Sequence, residues 1–245
     1  MIIQVFDNIE ALASASAAFI AEQAGIATAE RRLFNIALSG GSTPEETYKR
    51  LAQPPYSTQI HWTRVHIFWS DERCVPPEIP QSNYRSANEV LLKHVSVPLE
   101  NIHRLQGELP PLEGAAQANR ELAAHFGGTA VPNFDLILLG LGQDGHTASL
   151  FPESEALKTS SELIAANYVA ILDTWRLTFT YPLINAATQI LFMVSGESKA
   201  KVVKRVIEHR DPTSPASAVQ PASGNLHWFL DRAAGSHLSQ QTLGN

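Results

Sequence analysis

The chain has 245 residues, of which 44% are hydrophobic and 17% charged, so it can bury a core and is neither disordered nor collagen-like. Its formal net charge of −6 argues against nucleic acid as the main partner, because phosphate backbones require a basic surface. No apolar run approaches the about 18 residues that a membrane-spanning helix needs, so no membrane partner is predicted.

Short apolar segments alternate with longer helical patterns along the chain. Strands are predicted at residues 2–6, 33–38, 65–69, 134–141, 168–172 and 189–194, with a further strand-like run at 226–230. Helices are predicted at residues 11–24, 44–51, 83–94, 113–126 and 199–209. This alternation predicts parallel strands joined by right-handed crossovers. We therefore expect an α/β fold with a mostly parallel, Rossmann-like sheet, helices on both faces and a single domain over residues 1–245.

Cys74 is the chain's one cysteine, which excludes an internal disulfide and a cysteine-based zinc cluster. A single free cysteine fits a reducing compartment. The first residues contain no basic segment of the kind that begins a signal peptide, so we expect a cytoplasmic protein. No histidine or cysteine pair has the local spacing of a metal site, and no metal is predicted.

The segment that follows the second predicted strand, residues 39–44, reads Ser-Gly-Gly-Ser-Thr-Pro. Gly40 and Gly41 allow a tight turn, after which a helix begins with Ser42 and Thr43 as possible caps. The free N–H groups and the positive end of a helix can hold a phosphate. The Gly-Lys-Ser/Thr of a nucleotide P-loop is missing, which favours a single phosphate group. The alternative interpretation is an ordinary capped turn.

Three charged residues follow the third predicted strand, at the mouth of the sheet: Asp71, Glu72 and Arg73. In open α/β sheets the ligand lies beyond the carboxyl ends of the strands, so these charges are candidates for a site. The alternative, which this signal by itself favours, is that they cap the next turn or pair among themselves. For Cys74 we favour a structural role, because no partner histidine can be assigned from the sequence.

The loop after the fourth predicted strand contains Gly140, Gly142 and Gly145 in the G-x-G-x-x-G spacing. Dinucleotide binding is not favoured, because Asp144 inside the loop would repel a pyrophosphate. A catalytic interpretation fits better: His146 can transfer a proton near neutral pH, and Asp144 can orient its ring. The alternative is a buried histidine that is hydrogen-bonded in a turn.

Two isolated cations, Arg176 and Lys199, complete the candidates. A lysine at a helix start opposes the helix dipole, a small cost that a bound anion would relieve. The alternative for both residues is a solvated surface charge.

Together these loops resemble the family that contains the 6-phosphogluconolactonases and the glucosamine-6-phosphate deaminases. The resemblance rests on residues 39–44, 70–77, 81–84, 140–152 and 228–231 and spans about residues 6–234. Its most specific part is Gly-x-Asp-Gly-His-Thr-Ala-Ser-Leu-Phe-Pro at residues 142–152.

The lactonase branch implies hydrolysis of 6-phospho-D-glucono-1,5-lactone without metal or organic cofactor. We expect the protein to be a monomer or a weak homodimer. Carried over to this chain, the resemblance implies His146 as the base, oriented by Asp144, and Arg73 near the lactone carbonyl. The phosphate site would be formed by Gly41, Ser42, Thr43, Arg176 and Lys199. Gly40, Asp71, Gly142 and Gly145 would contact the rest of the substrate.

Two other functions stay open. A glucosamine-6-phosphate deaminase resembles this sequence, but deaminases have a glutamate where this chain has Phe151 and tend to have a tyrosine at Arg73. A non-catalytic sugar-phosphate sensor would normally carry a DNA-binding segment, and the sequence has no basic helix-turn-helix.

Overall fold

A computed structural model describes residues 1–31, 33–222 and 224–244. The predicted span 1–245 therefore includes Arg32, Ser223 and Asn245, which lie outside the described residues. The described residues form nine strands, in chain order β1 (Ile2–Phe6), β2 (Phe34–Leu38), β3 (Val65–Trp69), β4 (Asp71–Arg73), β5 (Leu136–Leu139), β6 (Ile164–Val169), β7 (Thr174–Phe179), β8 (Gln189–Val194) and β9 (Asn225–Asp231).

Six of these strands form one parallel sheet in the order β1-β9-β8-β5-β2-β3. Its central strand β5 is buried along its whole length, which explains its continuous run of apolar residues. The strand order reverses direction at β2, so right-handed crossovers on its two sides place helices on both faces. The predicted fold class is confirmed.

The helices are α1 (Ile9–Arg31), α2 (Ser42–Leu51), α3 (Tyr56–Gln59), α4 (Asn83–Val90), α5 (Pro111–His125), α6 (Tyr181–Asn185) and α7 (Ala200–Ile207). Helix α1 buries Leu12, Ile20, Ala24 and Ala27, whose spacing places them on one face. Helix α2 begins at Ser42, with Gly41 at the N-cap and no side-chain cap, so the prediction that Ser42 or Thr43 caps it is wrong. Helix α4 ends at Val90, earlier than predicted, and a short 3₁₀ turn at Leu92–His94 follows it.

A second sheet of three antiparallel strands, in the order β4-β7-β6, was not expected from the sequence. The predicted strand at residues 168–172 is wrong: β6 ends at Val169, and a 3₁₀ turn (Ala170–Leu172) leads into β7. The apolar residues Ile171 and Leu172 are 83% and 51% exposed at this turn, so their hydrophobicity does not indicate burial. Both sheets contribute to one hydrophobic cluster.

The first and last strands are neighbours at one edge of the large sheet. Strand β1 pairs in parallel with β9, from Ile2 opposite His227 to Phe6 opposite Asp231. None of the helices among the described residues has the length and apolar character that crossing a membrane requires.

Candidate active site

A cavity of about 270 Å³ opens where the order of strands in the large sheet reverses. Its wall is built mainly from the segments that follow β2, β3, β5 and β8, which is the position expected for a ligand in a doubly wound sheet. The predicted site residues in this wall are Gly40, Gly41, Ser42, Thr43, Asp71, Arg73, Gly142, His146 and Lys199. The structure therefore brings together most of the residues that the sequence singled out.

His146 and Asp144 form the hydrogen bond that the sequence predicts. Nδ1 of His146 lies 2.6 Å from Oδ1 of Asp144, and the backbone N–H of His146 donates to the same oxygen at 3.1 Å. Burial alone would raise the pKa of Asp144, but the hydrogen bonds from His146 outweigh it and lower the pKa. The ring of His146 also stacks on Phe151, with centroids 4.0 Å apart. The imidazole is thus held from one edge and one face.

The glycines of this loop allow the histidine to lie close to the backbone. A Cβ atom at Gly142 would be 2.0 Å from Nδ1 of His146, so only glycine fits there. The backbone N–H of Gly142 donates to the carbonyl of His146 at 2.8 Å, and that of Gly145 donates to the carbonyl of Gly142 at 3.0 Å. Gly145 itself is not in the cavity wall: a Cβ there would collide with Ser214.

The start of helix α2 faces the cavity. Gly41 adopts φ 109°, a conformation that favours glycine, and it directs Ser42 and Thr43 into the first turn of α2. The N–H groups of a first turn have no partner inside the helix, so they are available to an anion. The hydroxyl of Thr43 lies 2.7 Å from that of Ser195, which joins this turn to the segment after β8.

Lys199 reaches the same cavity from the segment before α7. Its Nζ donates to the carbonyl of Leu141 at 2.7 Å, so the ammonium group lies beside the loop that carries His146. Burial lowers the pKa of Lys199, while the charge of Asp144 acts in the opposite direction. Lys199 therefore supplies a fixed, half-buried positive charge to the same cavity that the first turn of α2 lines.

Asp71 is buried in the wall between the two sheets. Its Oδ2 accepts from the hydroxyl of Ser149 at 2.7 Å, and its backbone carbonyl accepts from Nδ2 of Asn83 at 2.9 Å. Asn83 also packs on Gly40, where a Cβ would be 1.9 Å from its Oδ1. Asp71 and Gly40 are thus tied together through Asn83, which the sequence analysis did not assign to the site.

Glu72 points away from the cavity and organises the segment that carries Asn83. Its carboxylate accepts from the backbone N–H groups of Arg73, Asn83 and Tyr84 at 2.7–2.8 Å and from the hydroxyl of Ser82 at 3.0 Å. Burial raises its pKa, and these donors act in the opposite direction. Glu72 therefore has a structural role, which separates it from its neighbours Asp71 and Arg73.

Arg73 and Arg176 lie opposite each other in the small sheet, as partners in the register of β4 and β7. Arg73 lines the cavity, and its guanidinium donates to the carbonyl of Gln81. Arg176 is half-buried and lies outside the cavity wall. Burial and the neighbouring charge of Arg73 lower the pKa of Arg176. The pair forms a cationic edge to the site.

Two alternative roles lose support from this geometry. Burial raises the pKa of Cys74 to about 11, which keeps the thiol protonated and poorly nucleophilic. The spacing of Gly140, Gly142 and Gly145 leads into turns and no helix begins there, whereas a dinucleotide site needs a helix at that point.

A comparison with known proteins gives the family. A sequence profile described as glucosamine-6-phosphate isomerases/6-phosphogluconolactonase matches residues 7–228. The chain belongs to this family. It is 44% identical over 218 residues to the 6-phosphogluconolactonase of Synechocystis sp., covering 86% of this chain and 88% of the relative. It is 38% identical over 242 residues to that of Nostoc sp., covering 97% of this chain and 98% of the relative.

The same family provides a structural neighbour. The solved structure of 6-phosphogluconolactonase from Trypanosoma brucei superposes with a TM-score of 0.85 at 27% identity, covering 97% of this chain and 98% of that one. The resemblance proposed from the loop motifs is thus confirmed at the level of the whole chain.

The residues that the sequence analysis missed have a supporting role. Besides Asn83, one of them is Asp231, whose carboxylate accepts from the backbone N–H groups of Gly196, at 3.0 Å, and Ala234, at 2.7 Å. Asp231 thereby fixes the segment that precedes Lys199. Asn83 and Asp231 lie in residues 81–84 and 228–231, which the sequence analysis counted among the family motifs. Their roles were not predicted, because hydrogen-bond partners such as Asp71 and Gly196 are distant in sequence.

Proposed function

We propose that this protein hydrolyses 6-phospho-D-glucono-1,5-lactone to 6-phospho-D-gluconate, with His146 activating the water. The observation that carries the proposal is the pairing of His146 with an ionised carboxylate in a cavity that also presents a helix N-terminus and a lysine. The chain matches relatives named 6-phosphogluconolactonase over most of their length, and these names support the same substrate.

The phosphate of the substrate would bind at Gly41, Ser42 and Thr43, with Lys199 as the nearby cation. Backbone N–H groups and one ammonium group suit a single phosphate dianion. Arg176 would add long-range attraction from the small sheet, beside Arg73. Binding at this remote phosphate would place the lactone ring toward His146 and so contribute to the rate as well as to affinity.

The chemistry follows from the tautomer of His146. Because the carboxylate of Asp144 accepts from Nδ1, the proton is on Nδ1 and the lone pair is on Nε2. Nε2 takes a proton from water as the water oxygen attacks the lactone C1, and the carbonyl oxygen becomes an oxyanion. Arg73 stabilises that charge. When the intermediate collapses, the C1–O bond to the ring oxygen breaks, and the proton held by His146 passes to the departing oxygen.

Two competing functions predict different products. A deaminase would release ammonia from glucosamine 6-phosphate, but the position that carries its glutamate is Phe151, whose ring stacks on His146 and supplies no carboxylate. A sugar-phosphate sensor would bind the substrate without turnover. Neither has a specific observation in its favour.

The test is hydrolysis of freshly generated lactone, compared with its spontaneous opening. We expect acceleration by the wild-type protein and a fall in kcat of about 10²–10⁴-fold in His146→Ala, the usual contribution of general-base catalysis. His237→Gln, at an exposed histidine, serves as the matched control. No acceleration by wild-type protein would contradict the function, and full activity of His146→Ala would contradict the mechanism alone.

We also propose that the chain acts in the cytoplasm on the free lactone, as a monomer or a weak homodimer, without nucleic acid, membrane or cofactor. A single free cysteine suits a reducing compartment, and the acidic net charge disfavours polyanionic partners. Cell fractionation and light scattering over a concentration series test the two parts separately.

A further inference from the structure

Three histidines converge away from the cavity, toward the amino end of β3. His66 is the second residue of β3, whereas the loops of the active site follow the carboxyl ends of the strands. His103 lies just after the short turn Leu99–Asn101, and His125 is the last residue of α5. Each histidine offers a ring nitrogen within 4.8 Å of the other two, and all three side chains are half-buried. We call them the histidine cluster.

The spacing within the cluster suits a common metal ion. Nδ1 of His66 and Nε2 of His103 are 3.1 Å apart. Zinc binds imidazole nitrogen at about 2.0–2.1 Å, so two nitrogens at a tetrahedral angle lie about 3.3 Å from each other. A small opening of this pair would therefore admit an ion between them. Among the described residues, no carboxylate or cysteine belongs to the group.

The surroundings orient the rings as they do in metal sites. Nε2 of His125 lies 2.7 Å from Oδ1 of Asn35 and donates to it, which leaves the lone pair of the neutral ring on Nδ1. Donation of the second ring N–H to a carbonyl oxygen is the usual outer-shell partner of a metal-binding histidine. The ring of His103 stacks on Phe68, with centroids 4.3 Å apart and planes 11° apart.

The three rings are also in the form that binds metal. Burial lowers the pKa of all three, with the pKa of His103 and of His125 at about 4. Neutral imidazole has a free lone pair near neutral pH. For Nδ1 of His66 and Nε2 of His103 both to coordinate, the proton of the hydrogen bond between them moves to the other nitrogen of the ring that holds it.

We propose that His66, His103 and His125 form a binding site for a divalent transition-metal ion of the Zn²⁺ class, with the remaining coordination position left to water. Three imidazoles are a common ligand set for such ions. The sequence predicts no metal site, because these residues are separated by 37 and 22 positions and only the fold brings them together. The site would join β3, α5 and the segment between them, away from the catalytic loops.

The test is calorimetric titration of tag-free protein with ZnCl₂, together with the visible absorption of bound Co²⁺. We expect one ion per chain in the wild type. His66→Gln and His125→Gln should each weaken binding at least about 100-fold, and Asn35→Ala about 10-fold, in line with the effect of outer-shell partners. His237→Gln should bind like the wild type. Zn²⁺ at 100 times its Kd should raise Tm by about 5–10 °C.

Two results would overturn the proposal. One is the absence of Zn²⁺ and Co²⁺ binding at millimolar concentration. The other is equal binding by the cluster variants and by His237→Gln, with loss in His146→Ala, which would place the ion at the active site. If a cluster variant fails to fold by circular dichroism, acylation of wild-type histidines by diethyl pyrocarbonate decides instead. Zn²⁺ should protect the cluster in peptide mass spectra, and unchanged modification of its three histidines would contradict the site.

Discussion

The large and small sheets contribute to the active site in different ways. The parallel sheet supplies backbone groups and glycine-bordered loops: the first turn of α2 and the loop that holds His146. The antiparallel sheet supplies side-chain charge, with Arg73 and Arg176 in register across β4 and β7. The backbone part of the proposed phosphate site thus follows from the topology of the parallel sheet, while the placement of the two arginines beside the site depends on the register of the antiparallel sheet.

The sharpest test of this division is Arg73→Gln. If Arg73 stabilises the oxyanion, removing its charge should lower kcat by about 10²–10³-fold with little change in KM, as loss of one such donor does elsewhere. Steady-state kinetics on fresh lactone measures both constants, with Arg64→Gln, at an exposed arginine before β3, as the control. A raised KM with unchanged kcat would instead assign Arg73 to the phosphate.

The free energy of unfolding tests whether the hydrogen bonds of Glu72 stabilise the small sheet and the segment that follows it. Glu72→Ala leaves three backbone N–H groups and one hydroxyl without their acceptor, and each unsatisfied buried donor costs about 1–3 kcal/mol. Since water will reach some of them, we expect a loss of about 3 kcal/mol in the free energy of unfolding, measured by urea denaturation. Glu155→Ala, in an exposed ion pair, should change it by less than about 0.5 kcal/mol. Equal effects would contradict the role of Glu72.

Lys199, which follows a strand of the large sheet, and Arg176, in the small sheet, allow a direct test of how the two sheets contribute to substrate binding. Lys199→Met and Arg176→Met each remove one charge from the proposed phosphate environment, and a charge-assisted hydrogen bond is worth about 1.5–3 kcal/mol. We expect KM to rise about 10-fold in each variant, with a smaller change in kcat, from the same kinetic assay. If Arg176→Met lowers kcat and leaves KM unchanged, Arg176 acts with Arg73 at the carbonyl and not with Lys199 at the phosphate.

The reactivity of Cys74 tests its structural role, with no expected effect on the lactone kinetics. Burial raises its pKa to about 11, so the reactive thiolate is scarce at pH 7.5 and its population rises about tenfold per pH unit until the pH approaches 11. Alkylation by iodoacetamide at pH 7.5 should therefore be roughly 10²-fold slower than that of a free thiol, as followed by intact mass. Rapid labelling of the folded protein at neutral pH would contradict the structural role assigned to this residue.

The parallel sheet was largely predictable because burial on both faces leaves a continuous apolar signal. Strands β1, β3 and β8 have the predicted bounds. The small sheet gave no such signal, because β4 consists of Asp-Glu-Arg and its partners are found only by pairing across the chain. Exposed Ile171 and Leu172 produced a false strand at the hairpin that joins β6 to β7.

Some residues of the candidate site could likewise be predicted from local sequence, whereas others could not. Local sequence was sufficient to single out the loop of Asp144 and His146 and the turn before α2, because closely spaced glycines mark both segments and one loop adds an Asp-Gly-His run. The roles of Arg176 and Lys199 came from the family resemblance. The hydrogen bonds of Glu72 depend on a segment about ten residues away, and no local periodicity encodes them.

The pairing of β1 with β9 has a consequence for synthesis. Ile2 and His227 are opposite each other, 227 − 2 = 225 positions apart, and β1 forms the edge of the sheet. During synthesis, the backbone groups of β1 therefore have no strand to pair with until β9 has been made, and the pairing then closes a loop of more than 200 residues, which is entropically costly. Asp231, which fixes the segment before Lys199, arrives with the same strand. The edge strand β1 and the segment before Lys199 are thus both fixed in place only after β9 has been synthesised.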